Sequence, residues 1–575
     1  MATGTQSKYS IPEEANLLFH EGILGNPHLK GKLPAGASDA SRTITFEGSD
    51  VPSLPINWRF AESISALKAY EATIINVLLQ KKYGVGPVKV KINTDHAQLF
   101  IMSAILWTLD PAGQNLSGTS LASPVTREAM AKYFPDRDIH KSSSSLYRTV
   151  ATNIYQTKDD KFFHLHSSLN PDPILNALGL PTDQQHATME EALVPLIDAV
   201  GKHTAEEMQL LTDDSKQAGT ICWTTTEFKE SEHGKANAQA GLFEIETHSN
   251  PAQKPGWWPD APRTSPARPL AGLKVVDLTR IIAGPAVSRG LAELGASVMR
   301  ITAPHLADFS MLHPDLNHGK WNASLDLRKE GDRQKLRELV LEADVFLQGY
   351  RPGVLDKYGF GEKDVLEMCK SRDRGIVYCA EDCYGWHGPW AHRSGWQQIS
   401  DANCGVSYEF GRAMGNDEPV TPVFPNSDYC TGVAGSIGIM TALLRRAEVG
   451  GSFSVKIALN YYSQWLVNSV GTYPEDIWKD VWQRNGSPIF RHYHSMPYML
   501  ARVFAALKDK TGDKLFNPEF FTKYHPKHLG KDMVIVAPIL TFPNGEVEPR
   551  FDIGTRGNGV DEAKWPASLE VETVI

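Results

Sequence analysis

The chain has 575 residues, about four times the ~150 residues typical of one domain, so two to four domains are expected and a single-motif protein is excluded. Hydrophobic residues make up 41% and charged residues 22%, near the globular average, which leaves collagen-like, low-complexity and broadly disordered readings without support. The 58 Lys and Arg against 67 Asp and Glu give a net charge of −9, so no global field draws in nucleic acid or anionic lipid.

Residues 1–55 are polar and rich in Gly, Pro and Ser, which predicts an N-terminal arm or irregular cover rather than a core. The start, MATGTQSKYSIPEEANLL, has no basic stretch followed by an apolar run, so no secretory leader is expected. Over 61–82, Leu67, Tyr70, Ile74, Val77 and Leu78 recur at helical spacing, and VKVKIN (88–93) alternates like a strand, giving a helix–strand unit within 56–110. FFHLH (162–166) reads as a strand, and 189–199 and 203–211 as helices, the second with Thr204 placed to cap it. Recurrent prolines over 248–268 mark an interdomain linker. Beyond it strand and helix alternate: strands at 273–279, 297–302, 344–350 and 375–382, helices at 284–295, 332–343 and 362–370. That alternation predicts an α/β fold with a parallel sheet covered by helices on both faces. The apolar run 429–444 is too short to cross a bilayer, is closed by Arg445 and Arg446, and reads as a buried helix.

Ligands of open parallel sheets sit beyond the carboxyl ends of the strands, here the loop Thr279-Arg280-Ile281-Ile282-Ala283-Gly284. Only one glycine stands in it, so the dinucleotide fingerprint is absent and a nicotinamide or flavin dehydrogenase is disfavoured. Arg280 before a helix N-terminus either holds a phosphate or is simply solvated. Asp428 opens PNSDYCTGVAGSIGIMTALLRR, where Gly432, Gly435 and Gly438 leave one helical face nearly bare, so something packs close there. The carboxyl of Asp428 is either a helix cap or a nucleophile kept ionised by the helix N-terminus. Cys379, Cys383, His387 and His392 cluster in sequence, but no second pair follows at zinc-ribbon spacing, and no metal is expected. His164 and His166, and likewise His492 and His494, alternate on one strand face without a neighbouring carboxylate in ligand spacing. No G-x-S-x-G, P-loop or H-E-x-x-H motif occurs. Six cysteines suit a reducing compartment, and a cytoplasmic protein is expected.

The run RPLAGLKVVDLTRIIAGPAVSRGLAELGASVMRITAP (268–304) resembles the opening of family III CoA-transferases, the group of formyl-CoA transferase, carnitine CoA-transferase and α-methylacyl-CoA racemase. GKWNASLDLRKEGDRQKLRELVLEADVFLQGYRPGVLDKYGF (319–360), YGWHGPW (384–390) and SDYCTGVAGSIGIMTALLRR (427–446) follow in family order, and the overall style resembles the large fungal members. The resemblance implies a Rossmann-like CoA domain over 269–470 carrying the catalytic Asp. It also implies a small α/β domain over 150–247, placed before the large domain rather than after it, and a segment 471–575 packing back on the large domain. It implies acyl-CoA:carboxylate CoA transfer through a mixed anhydride on Asp428, with CoA as substrate and no tightly bound cofactor. CoA would meet Arg280, Ile281, Ala283, Leu325, Arg328, Tyr350, Lys357 and Tyr358, cations on its phosphates and apolar groups on adenine. Partners are acyl-CoA and carboxylic acids, without nucleic acid or membrane, and a homodimer is expected.

Two departures stand out. Trp396 takes the place of the racemase histidine, so an epimerase would need His392 or His387 as partner to Asp428. The glycine-rich loop that covers the aspartate in formyl-CoA transferase is not evident. The alternatives to the transferase are therefore a 2-methylacyl-CoA epimerase and a CoA-binding family member without turnover. An offset of 365 places Ser63 opposite Asp428 and Val90-Lys91-Ile92 opposite Val455-Lys456-Ile457, which reads either as a degenerate repeat whose first copy lacks the nucleophile or as the likeness of any two helix–strand units.

Overall fold

Ile11, Ala15 and Leu18 share one helical stripe, and the helix Ile11–Leu18 buries it, while Phe19, Ile23 and Leu29 join Leu18 in the main core. In this computed structural model, which describes residues 9–120 and 123–573, the N-terminal segment is thus part of the core rather than an irregular cover. Flanking Gly, Pro and Ser dilute the composition there, but these six apolar residues decide the packing. Residues 1–8, the start of the expected arm and of the stretch read for a leader, lie outside the described residues.

Strand β1 (Ile44–Glu47) pairs in parallel with β2 (Val90–Asn93), Ile44 opposite Val90 and Phe46 opposite Ile92. Helix Phe60–Tyr83 lies between them in sequence and is buried from Phe60 to Leu79, which its small and apolar composition permits. A short hairpin, β3 (Thr108–Leu109) and β4 (Leu116–Ser117), follows. Next comes an antiparallel three-stranded sheet, β5 (Asn153–Gln156), β6 (Phe162–His166) and β7 (Ala218–Ile221). Helices Met189–Val200 and Ala205–Asp214 cover it, the second opened by a reciprocal Thr204 and Glu207 capping box. Tyr147, Phe163, Leu165, Leu196 and Met208 fill this smaller core.

β8 (Glu244–His248) runs antiparallel along the edge of the main sheet. The proline-rich stretch after it is irregular but anchored, with the buried Trp258 donating Nε1–H to the Ala271 carbonyl at 2.9 Å. The main sheet adds β9 (Lys274–Leu278), β10 (Ser297–Thr302), β11 (Lys320–Ser324), β12 (Val345–Gln348), β13 (Val377–Asp382) and β14 (Ser452–Ala458), all mutually parallel. Its order is β11-β10-β9-β12-β13-β14-β8. The first six form the doubly wound 3-2-1-4-5-6 arrangement, whose switch point lies between β9 and β12. β15 (Phe521–Tyr524) and β16 (Met533–Val536) extend the β3–β4 hairpin into a four-stranded sheet. The final segment returns to the main sheet, where the backbone of Asn322 on β11 donates to Asp561 at 2.7 Å. The fully buried Arg556 there holds Asp561 and Glu572 at 2.9 and 2.6 Å. Among the described residues no helix is long and apolar enough to cross a membrane.

Two segments share one plan. Helix Phe60–Tyr83, β2 and helix Thr94–Phe100 match helix Asn426–Val449, β14 and helix Leu459–Trp465 in order, with long helices of 24 residues and short ones of 7. β2 and β14 each lie parallel to an earlier strand. The long helices pack on each other, and Ser436 Oγ donates to Glu71 Oε1 at 2.9 Å across a separation of 365 residues, the spacing that also relates Ser63 to Asp428.

Candidate active site

The site begins with the end of β9. Asp277 accepts the Thr279 N–H at 2.9 Å and its hydroxyl at 2.5 Å on one oxygen, and Ser288 Oγ–H at 2.5 Å and Lys320 Nζ at 3.3 Å on the other. Strand end, loop and the helix Ala283–Glu293 are therefore tied to one buried carboxylate. Burial lowers Lys320 to about 8, and the Asp277 charge beside it works the other way. Within the loop so held, Ile281 has φ 74°, a left-handed conformation that costs a β-branched residue of order 1–3 kcal/mol and persists only where its surroundings enforce it. Arg280 donates to the Ala307 carbonyl at 2.5 Å and lies over the Tyr350 ring, 5.4 Å from its centroid.

This loop forms one wall of a cavity of about 540 Å³ at the switch point of the sheet. Arg280, Ile281, Ala283, Leu325, Tyr350, Lys357, Tyr358 and Asp428 all line it. Arg328 is the exception among the residues expected around CoA: it is not in the lining, and its guanidinium folds back on Asp326 in a two-point contact of 2.8 Å each. Lys357 stands 4.9 Å over the ring of Tyr358.

Further lining comes from the three-stranded sheet unit, none of whose residues was among those expected around CoA. Ser168, Leu169 and Asn170 follow β6, and Lys216 and Gln217 precede β7. Arg351 Nη1 reaches the Lys216 carbonyl at 3.4 Å, Arg393 pairs with Asp213 at 3.1 Å, and Trp396 donates Nε1–H to Ser168 Oγ at 3.0 Å. Trp396 also stacks on His166, centroids 5.7 Å apart. Lys216, Arg351 and Arg393 add cations to this cleft that were not among the residues expected around CoA, although Arg351 directly follows Tyr350 in the 319–360 run.

Asp428 lies in the first turn of helix Asn426–Val449, whose glycine face lets it approach its neighbours. A methyl group at Gly432 would lie 2.5 Å from Ala286 Cβ, and one at Gly435 2.5 Å from Val287 Cγ2, both on the helix that follows the Arg280 loop. The bare face therefore sets the distance between Asp428 and that loop. Asp428 is 9% exposed, and its carboxyl has neither a hydrogen-bond donor nor a cation among the described residues. Burial, and then the nearby Asp401, push it well above the ordinary carboxylate range. Asp401 itself accepts from Ser427 Oγ at 3.3 Å and from Gln397 Nε2, and burial raises it to about 7.

The histidines proposed for an epimerase are elsewhere. His387 is half-exposed and bonds Glu244 at 2.9 Å, His392 is exposed, and neither lines the cavity. Cys379 and Cys383 are buried free thiols.

The family model described as CoA-transferase family III matches residues 270–506. An acetyl-coenzyme A transferase, nodX, of Hypoxylon pulicicidum is 50% identical over 98% of this chain and 95% of its own. An acyl-CoA transferase of Gibberella moniliformis is 30% identical over 88% of each chain. A succinyl-CoA:glutarate CoA-transferase of Mus musculus is 30% identical over a shorter region, 34% of this chain and 47% of its own. With a relative of 50% identity along nearly its whole length and the family pattern across its main sheet, this chain belongs to CoA-transferase family III and is a CoA-transferase.

Proposed function

We propose that the chain moves CoA between an acyl-CoA and a carboxylic acid through an acyl anhydride on Asp428. The observation that carries this reading is an unpaired, buried Asp428 carboxyl lining the same cavity as the Arg280 loop. Arg280, Lys357, Lys216 and Arg351 in one lining suit the phosphates of CoA, and Arg328, next to the lining residue Leu327, is within the same region. Ile281, Leu325, Tyr350 and Tyr358 supply apolar surface for adenine.

The exchange runs in balanced steps. An Asp428 oxygen adds to the thioester carbonyl carbon, the C–S bond breaks, and CoA leaves as thiolate while the acyl–aspartyl anhydride forms. The thiolate attacks the aspartyl carbonyl and releases the first acid. The acceptor carboxylate displaces CoA from the aspartyl thioester, and the thiolate then takes the new acyl group, restoring Asp428. The name of the 50% identical relative makes acetyl-CoA the first donor to try. Asp428→Asn is expected to lower kcat for CoA exchange between acetyl-CoA and a labelled acid by at least roughly 10⁴-fold, with CoA binding retained. Full exchange by that variant would refute the reading.

The segment 60–100 is, on this reading, a degenerate copy of the 426–465 unit, with Ser63 where Asp428 stands. Support comes from the equal helix lengths and from the Glu71–Ser436 contact at the repeat spacing. Ser63 is buried and bonded to Tyr462, so no second cleft opens there.

A further inference from the structure

Glu381 is the penultimate residue of β13, and its carboxyl stands over Gly349 at the end of β12, where an added methyl group would come within 2.8 Å of Glu381 Oε2 and 3.6 Å of Thr279 Cγ2. Gly349 thus leaves room for a carboxyl at the switch point of the sheet, beside the end of β9. Glu381 lines the cavity with Asp428, and like Asp428 it has no hydrogen-bond or ion-pair partner among the described residues. The charged groups around it are engaged or distant. Asp382 on its own strand accepts the Gly385 N–H at 2.9 Å, Arg280 holds the Ala307 carbonyl, and Arg393 is paired with Asp213. Arg351 turns to the Lys216 carbonyl, Lys357 lies over Tyr358, and neither Lys216 nor His305 comes within 4 Å of a Glu381 oxygen. Cys383 is a buried thiol.

Glu381 and Asp428 line one cavity with no cation bonded to either among the described residues, and two such carboxyls resist ionising together, so the pair retains one proton. Burial pushes Glu381 well above the ordinary range, with Asp382 and then Asp428 adding to it. Attack on a thioester needs both forms at once: an anion to add to the carbonyl and a donor facing the oxyanion that develops.

We propose that Glu381 is a catalytic donor: while Asp428 attacks as the anion, Glu381 keeps the proton of the pair and hydrogen-bonds the thioester carbonyl oxygen. This rests on the Asp428 reading. As the Asp428 oxygen adds, the carbonyl π pair moves onto oxygen against the Glu381 O–H. When the C–S bond breaks and the thiolate leaves, the carbonyl reforms and the proton stays on Glu381, so no other reactant is needed.

The test is the single-turnover rate of the acetyl adduct, read as intact mass after mixing acetyl-CoA with wild type, Glu381→Gln and Glu381→Ala. Gln is neutral and still donates, so it keeps the rate within about tenfold, whereas Ala slows it by about 10²–10³ with CoA affinity unchanged. The wild-type rate falls at alkaline pH as Glu381 gives up its proton, and Glu381→Gln lacks that fall. An Ala variant as fast as wild type, a Gln variant as slow as Ala, or an alkaline fall that persists in Gln overturns the inference about Glu381 alone. The Gln profile decides the matter even if the Ala variant does not fold. A wild type that forms no adduct overturns the Asp428 reading, and this inference with it.

Discussion

Asp401 illustrates how single residues set the chemistry beneath Asp428. The buried carboxyl keeps its proton in the folded chain up to about 7, while the unfolded chain releases it at the ordinary value near 4. Its contribution to stability is therefore complete below about pH 4, shrinks by up to about 1.4 kcal/mol per pH unit as pH rises, and is gone above about 7. Asp401→Asn removes this loss. Urea unfolding at several pH values between 5 and 7 is expected to give a shallower decline in the variant, and parallel curves would contradict the assignment. Arg280, Tyr350, Lys357 and Asp428 were legible in the sequence because each lies in a run with a family pattern. Lys216 and Ser168 were not, because they sit at strand ends of a separate sheet unit and leave no local spacing to read, and Arg393 lies in the irregular stretch just past YGWHGPW. Trp396 was singled out as a replaced histidine, but its hydrogen bond to Ser168 and its stack on His166 emerge only from the fold.

At the scale of elements, helix Asn426–Val449 and helix Ala283–Glu293 act as one piece. The glycines at 432 and 435 allow backbone and small side chains to meet, so the close packing sets the separation of Asp428 from the Arg280 loop. Gly432→Ala inserts a methyl group 2.5 Å from Ala286 Cβ, closer than real carbon contacts allow. The expected result is a loss of about 1–3 kcal/mol in unfolding free energy and a larger fractional fall in kcat than in CoA affinity. An unchanged Tm with unchanged kcat would show that the helices do not set this distance. The glycine rhythm announced the close approach, and strand–helix alternation announced the sheet, since both are periodic signals. The helix Ile11–Leu18 was missed because eight residues with an interrupted apolar stripe, set among Gly, Pro and Ser, resemble a loop by composition.

The whole molecule joins a doubly wound sheet, a three-stranded unit that faces its ligand edge, and an N-terminal helical unit that fills the back. Helix Phe60–Tyr83 has buried residues all along Phe60–Leu79, and within it Lys68 and Glu71 pair at 2.7 Å with almost no exposure. Removing residues 1–110 would strip the partner from helix Asn426–Val449, so the remaining chain is expected to show no cooperative thermal transition. A truncated chain that melts cooperatively and binds CoA would contradict a structural role for the N-terminal unit. The net charge of −9 also takes on meaning at this scale, because the cations of the cleft are gathered from both sheet units within an otherwise acidic molecule. The central claim is that Asp428 carries the acyl group. It is tested most directly by trapping with hydroxylamine after mixing with acetyl-CoA, followed by peptide mass mapping. The account predicts a hydroxamate on the peptide bearing Asp428, absent without acetyl-CoA and absent in Asp428→Asn, and a hydroxamate on another residue, or none during active turnover, would contradict it.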